Sequence, residues 1–379
     1  MPRSDLQDEK MAQRGENFRT IWLKPDDPTV VQIIDQRLLP HEYRVHDLCS
    51  WQDGLVAINE MYVRGAPLIG ATAAWSLYLA AQGAADPAAA VREAAEALLQ
   101  SRPTAINLRW AVNRIIALQE NSNTDAALVN LIREDAQAIC DEDIEISRGI
   151  GEHGVTLLEA IAKKKSGDTV NVLTHCNAGS LATINWGTAT APVYFAKQRG
   201  IDVHVWVDET RPRNQGSQLT AWELAANKVP HTLIVDNAGG HLMQHGEVDI
   251  VITGTDRTTR CGDVANKIGT YLKALAAVDN DIPFYVALPS TTIDWNCRDG
   301  LDEIPIEQRD PAEVSDIYGV HDGKPLHVRT TAADTPISNF AFDVTPARLI
   351  TGLITERGIC EASEAGLLGL FPERTRHDD

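Results

Sequence analysis

The chain reads Val170-Asn171-Val172-Leu173-Thr174 and then His175-Cys176-Asn177-Ala178-Gly179. A short apolar run gives way at once to small and polar residues, the pattern of a buried strand leaving its sheet. Three further stretches repeat it. Residues 203–207 lead into Asp208-Glu209-Thr210-Arg211-Pro212, and residues 232–235 into Asp236-Asn237-Ala238-Gly239-Gly240. Residues 249–253 lead into Gly254-Thr255-Asp256-Arg257. Helical patterns of roughly 10–15 residues separate the runs, which predicts right-handed crossovers and a mostly parallel, Rossmann-like sheet. Ligands of such sheets sit outside the carboxyl ends of the strands. The polar loops are therefore expected at one cleft, which points to an enzyme.

Upstream, Lys163-Lys164-Lys165-Ser166-Gly167-Asp168 is the clearest shift in composition and places a boundary there. It divides the chain into a smaller, mainly helical domain, 1–165, and the α/β sheet domain, 166–379. Two β-like runs, 20–23 and 30–34, flank Pro25-Asp26-Asp27-Pro28 and predict a short hairpin. Ser50, three residues before Asp53, predicts a helix N-cap, and that helix should end near Arg64-Gly65-Ala66-Pro67. Further helices are expected over 69–81, 87–99, 105–119, 125–140 and 144–163, with Ser101-Arg102-Pro103-Thr104 as a break. In the second half, helices are expected from the Cys176 loop to about 198 with Gly200 as C-cap, over 218–227, near Leu242, over 264–278 and over 346–356. Residue 284 opens another strand run that ends at Pro289-Ser290, and 294–334 reads as a long loop.

Composition narrows the function. A length of 379 residues suits two domains. The net charge of −19 argues against a nucleic-acid partner, which calls for basic stripes, yet leaves room for a small phosphorylated substrate. No apolar run approaches the ~20 residues of a membrane span, and the opening residues lack the apolar core of a signal peptide. The six cysteines are scattered without metal-ligand spacing, as in a reduced, cytoplasmic protein.

Several residues in the loops have useful chemistry. Cys176 lies before a predicted helix start, where backbone amides stabilise a thiolate. It would serve as a base or charge stabiliser, or else as a core thiol at a tight turn. Asp256, shielded in a cleft, would have a raised pKa and deliver a proton; otherwise it pairs with Arg257 or Arg260 or caps a helix. Gly262-Asp263-Val264-Ala265-Asn266-Lys267 reads as a helix opening, its amides and Lys267 forming a phosphate cradle or a solvated first turn. Arg64 and Arg102 are isolated cations at helix boundaries, and Gln215 would bond a sugar hydroxyl or cap the next helix. His175 points to the opposite face from Cys176, so the two form no dyad. The glycines at 239–240 make no G-x-G-x-x-G, so no dinucleotide is expected.

At these residues the chain resembles the methylthioribose-1-phosphate isomerases. The likeness is carried by Val63-Arg64-Gly65-Ala66-Pro67, Ser101-Arg102-Pro103-Thr104-Ala105-Ile106-Asn107-Leu108 and Thr174-His175-Cys176-Asn177-Ala178-Gly179. It continues through Glu209-Thr210-Arg211-Pro212, Gln215-Gly216, the Leu219-to-Leu224 run, the Gly262-to-Tyr271 run and Phe342-Asp343-Val344-Thr345-Pro346. The resemblance implies a homodimer acting on a small-molecule sugar phosphate without metal or cofactor. It implies Cys176 and Asp256 as the catalytic pair, and Arg64, Gly65, Ala66, Arg102, Gln215, Asn266 and Lys267 as substrate-binding residues. The same superfamily contains ribose-1,5-bisphosphate isomerases and regulatory subunits of a translation-initiation exchange factor. Thr258-Thr259-Arg260-Cys261 departs from the family's alanine-rich pattern after the aspartate, which leaves the substituent at sugar carbon five open.

Overall fold

The computed structural model describes residues 18–102, 105–122 and 124–376. Its largest sheet has seven strands. From edge to edge they are Gly358–Cys360, Gly352–Thr355, Phe284–Ala287, Ile250–Thr253, Val170–Thr174, Val203–Asp208 and His231–Ile234. All neighbours are parallel except the pair of Gly352–Thr355 with Gly358–Cys360. From Val170–Thr174 the chain builds outward to one side, then returns to lay Ile250–Thr253 on the other. The order reverses between those two strands, and a reversal opens a crevice at the carboxyl ends. Ile250–Thr253 and Gly352–Thr355 are buried throughout, as strands covered on both faces must be.

The first half is mainly helical. Ala66–Ala81 is apolar all round and buried at every position but Pro67, so it forms the centre of that half. Trp51–Asn59, Pro87–Ser101 and Ile106–Ala117 pack around it. Ser50 caps the first of these through the expected reciprocal bonds with Asp53. The two halves meet above the carboxyl ends of the strands, where the Gln36 amide donates to the Leu181 carbonyl at 2.7 Å and Asn107 bonds Thr291 and Thr292.

Several sequence expectations are corrected. The hairpin Ile21–Leu23 with Val31–Ile34 gains a third antiparallel strand, Val45–Leu48. The helices expected over 125–140 and 144–163 are one helix of 40 residues, Asp125–Lys164. Asp141-Glu142-Asp143 interrupts the apolar pattern there, but contains no helix breaker. Gly154 lets this helix lie against the helix Ala191–Gln198, since a Cβ on it would sit 2.4 Å from Pro192 Cγ.

No regular helix follows Cys176 directly: a short turn at Ser180–Ala182 precedes an irregular stretch up to Ala191–Gln198. The amides of Ser180 and Leu181 donate instead to the buried Glu223 carboxylate, at 2.9 and 2.7 Å. Val264–Lys267 is a strand, and the helix begins at Thr270 after Gly269 turns the chain with a φ of +105°. The 346–356 stretch supplies the buried strand Gly352–Thr355 rather than a helix, because a run covered on both faces has no period to distinguish the two. The segment read as a long loop contains the ribbon Asp316–His321 with Lys324–Arg329. Pro103 and Thr104, and the opening residues 1–17, lie outside the described residues. Among the described residues no helix is long and apolar enough to cross a membrane.

Asp143 sits buried on the long helix and accepts the Ile184 amide at 2.8 Å. Burial pushes its carboxyl up from 3.8 to about 7. A raised carboxyl contributes stability that is complete below its unfolded pKa and is lost as pH rises through the folded value. The substitution Asp143→Asn keeps an acceptor oxygen on the side chain but removes the ionisation. The melting temperature of this variant relative to wild type should therefore be higher at about pH 8 than at about pH 5; an equal difference at both would show that Asp143 does not titrate in that window.

Candidate active site

The two strands beside the sheet reversal deliver the central pair of side chains. Val170–Thr174 ends next to Cys176, and Ile250–Thr253 ends next to Gly254-Thr255-Asp256. Both side chains line one cleft of about 760 Å³, counting its open mouth. The helical half closes it from above with Arg64, Gly65, Ala66 and Arg102, while Gln215, Asn266 and Lys267 complete the wall. All nine residues singled out from sequence thus line the same cavity.

Local backbone geometry explains this convergence. Cys176 leaves its strand with a φ of +68°, a conformation that is costly for a residue with a Cβ. It is held there from both sides. The Cys176 amide donates to Thr210 Oγ1 at 2.9 Å, and the Cys176 carbonyl accepts the Thr220 hydroxyl at 2.7 Å. The turn sends the thiol into the cleft, 3.6 Å from Gln215 Oε1. His175 goes the other way, as its neighbouring position requires. Its ring bridges Asp208 Oδ2 and the Ile268 carbonyl, each at 2.8 Å. His175, Asp208 and Asp236 have the residue types of a metal site, but Lys273 Nζ already stands 3.0 Å from Asp208 Oδ2 as the local cation.

Gly65 presents the cationic wall. Its φ is +94°, and a Cβ there would fall 2.3–2.5 Å from Ala182. Arg64 is consequently only 4% exposed. Its Nη2 makes a long bond of 3.3 Å to the Gln36 carbonyl, and its Nε is buried without a hydrogen-bond partner. Burial and the nearby Arg213 push the guanidinium down to about 9. Lys267 is also buried, and desolvation lowers its pKa; its ammonium lies 5.9 Å from the Phe342 ring centre. Arg102 pairs with Glu307 at 3.1 Å and leaves its Nη1 buried without a partner.

Electrostatics separates the thiol from the acid. Desolvation raises Asp256 to about 6 against the pull of Arg102 and Lys267. Burial first, and the Asp256 charge second, raise the Cys176 thiol to about 11. The resting cleft therefore holds a neutral thiol, not the thiolate expected of a helix start. The helix-start cradle before Lys267 is likewise absent: the Val264–Lys267 backbone pairs with Phe342–Thr345 and with Arg257–Thr259. Asp256 makes neither suggested structural pair, because Arg257 pairs with Asp294 and Arg260 with Glu364. Arg260 instead lines a separate groove with Trp110 and Trp295. Met61, Thr188, Pro289, Arg309 and Phe342 also line the cleft. Arg309 gave no signal in a segment without periodicity, and Phe342 stood inside a recognised motif without an assigned task.

A cationic cleft carrying a carboxylic acid and a thiol is equipment for an enzyme that handles a small anionic molecule. The model of the initiation factor 2 subunit family matches residues 62–362. A methylthioribose-1-phosphate isomerase of Desulfatibacillum aliphaticivorans is 55% identical over 370 residues, covering 97% of this chain and all of that one. The crystal structure of 5-methylthioribose 1-phosphate isomerase from Pyrococcus horikoshii OT3 superposes with a TM-score of 0.81 at 38% identity, over 96% of this chain and 98% of that one. The structure of translation initiation factor eIF-2B, subunit delta, from A. fulgidus follows at 0.77 and 35%, over 94% of this chain and all of that one. The chain belongs to the initiation factor 2 subunit family, and within it to the methylthioribose-1-phosphate isomerases.

The Asp256 charge is one cause of the high Cys176 pKa, so its removal has a definite sign. At a fixed alkaline pH, Asp256→Asn should speed iodoacetamide alkylation of the Cys176 peptide several-fold, read by mass spectrometry. An unchanged rate would show that the two groups do not interact.

Proposed function

We propose that the protein is an aldose–ketose isomerase of methionine salvage that converts 5-methylthioribose 1-phosphate into 5-methylthioribulose 1-phosphate. The single observation that carries the reading is Cys176 and Asp256 facing one cationic cleft, in a chain that belongs with enzymes of that name. We read the parallel sheet as Rossmann-like, residues 1–165 and 166–379 as its two domains, and the working form as a cytoplasmic homodimer. The described cysteines are all unpaired, which supports a reducing compartment.

The substrate's anomeric oxygen carries phosphate, so its ring cannot open to a free aldehyde. In the proposed mechanism, protonated Asp256 gives its proton to the ring oxygen as the bond from that oxygen to C1 breaks. The developing cation at C1 then takes hydrogen with its electron pair from C2. The C2 hydroxyl becomes the ketone and returns a proton to Asp256, so atoms and charge balance. The dry cleft favours this by keeping Asp256 partly protonated at neutral pH. A Cys176 thiol raised to about 11 suits a group that stabilises charge without taking the C2 proton. Arg64 and Lys267 hold the phosphate, with Gln215 and Asn266 beside them; the Arg102 Nη1 remains for a sugar hydroxyl. A non-catalytic regulatory binder would need neither the thiol nor the acid.

Proton NMR of the purified protein with 5-methylthioribose 1-phosphate tests this directly. Ketose should form, and Asp256→Asn should reduce kcat by on the order of 10²–10⁴ while product still binds. In deuterated water the C2 hydrogen should appear at C1. Solvent deuterium at C1 would replace direct transfer by a base at C2, and silence from the folded protein would favour the regulatory reading.

A further inference from the structure

The loop that carries Cys176 touches the cleft on one side and a buried carboxylate on the other. Cys176, Asn177, Ala178, Ala182 and Thr183 line the cleft. The intervening Gly179, Ser180 and Leu181 rest on Glu223, which is fully buried on the helix Ala221–Ala226. Glu223 Oε2 accepts the Ser180 amide at 2.9 Å and the Tyr194 hydroxyl at 3.4 Å. Oε1 accepts the Leu181 amide at 2.7 Å and Asn177 Nδ2 at 3.3 Å. Gly179 makes room for this contact, since a Cβ there would fall 1.8 Å from Oε2. Glu223 itself does not line the cleft.

Burying a carboxylate is unfavourable unless donors meet it. Here the donors are the first amides of the Ser180–Ala182 turn, and an amide bonded to a charged acceptor is held more tightly than one bonded to a neutral acceptor. Spacing extends the grip to the reactive residue. Thr220 and Glu223 stand three residues apart at the start of their helix, hence on one face. Asn177 Nδ2 donates to Thr220 Oγ1 at 3.1 Å as well as to Glu223, and the Thr220 hydroxyl donates to the Cys176 carbonyl. A continuous chain of bonds thus runs from the carboxylate through Asn177 and Thr220 to the backbone of Cys176. The φ of +68° at Cys176 persists only because its surroundings over-determine it. Packing alone would be served by an apolar side chain; the converging amides call for an anion.

We propose that Glu223 is a positioning residue for the isomerisation, a built-in anion that holds the 176–182 loop in its reactive form. The assignment rests on the isomerase reading above and adds a residue that acts only through Cys176 and its loop. Without the carboxylate, the clamp on Cys176 loses its anchor on the Thr220 side. The thiol then shifts from its place 3.6 Å from Gln215 Oε1. Arg64 and Lys267 stay where they are, so the loss falls on kcat rather than on KM.

The test pairs Glu223→Ala with sodium formate, a carboxylate small enough to enter the space that the variant leaves. With 5-methylthioribose 1-phosphate, this variant should lose on the order of 10² in kcat, with KM changed by no more than about threefold. Formate should restore kcat saturably, and sodium chloride at equal ionic strength should not. Iodoacetamide alkylation of the Cys176 peptide, which needs no substrate, should be several-fold faster in the variant and slow again with formate. Glu223→Gln keeps the shape of the side chain but turns an NH2 group toward the loop amides. It should fold, and should lose kcat without responding to formate. A wild-type kcat in either variant, or a loss confined to KM, overturns the proposal. So does a folded alanine variant that formate leaves unchanged in both kcat and alkylation. An inactive wild type overturns the isomerase reading and this role with it, whereas failure of Glu223 alone shows as unchanged alkylation in an active enzyme.

Discussion

The reversal of strand order between Val170–Thr174 and Ile250–Thr253 is the constraint from which the site follows. Two adjacent parallel strands end at the same level, and crossovers that depart to opposite sides leave nothing above the seam. The side chains just past those ends must then face each other across the gap. Cys176 and Asp256 are far apart in sequence, yet no separate device is needed to bring them together. The devices seen locally serve orientation: the left-handed turn at Cys176, clamped by Thr210 and Thr220, turns the thiol inward and the His175 ring outward.

Covering that seam with the helical half determines its chemistry. Gly65 can approach Ala182 only because it has no side chain, and this close approach buries Arg64 over the strand ends. Water leaves, and the consequences run in opposite directions for opposite charges. The acid and the thiol become harder to ionise, whereas Arg64 and Lys267 bear an uncompensated desolvation that an anionic ligand would relieve. One act of burial thus raises the pKa of a carboxylic acid and lowers those of two cations together. The cations differ in how far they are satisfied: Arg102 and Arg257 each meet a carboxylate, while the Arg64 Nε and the Arg102 Nη1 stay buried without a partner.

Much of this was legible in the residues alone. Strand runs ending in polar loops marked the parallel sheet and its functional edge, because a strand covered on both faces must be apolar and its exit need not be. Ser50 and Asp53 announced a capping box through a purely local exchange of hydrogen bonds. Local pattern misleads where it competes with long-range pairing. Val264–Lys267 looked like a helix opening but is a strand, because Phe342–Thr345 pairs with it from far along the chain. The Gly352–Thr355 run has no period that separates a buried strand from a buried helix, so only its neighbour Phe284–Ala287 decides its state.

Residue type and periodicity along the chain were enough to say that the polar loops share one edge of a parallel sheet, and the family resemblance, not periodicity, singled out residues within them. Their ionisation, and the division of labour between the cations, were set only when distant segments came together. Whether Cys176 is a thiol or a thiolate, and whether an arginine meets a carboxylate, depends on water excluded and charges supplied from far away in sequence. Glu307 beside Arg102 and Asp294 beside Arg257 are partners that no local pattern announces. Desolvation and pairing are properties of the folded volume, not of the chain.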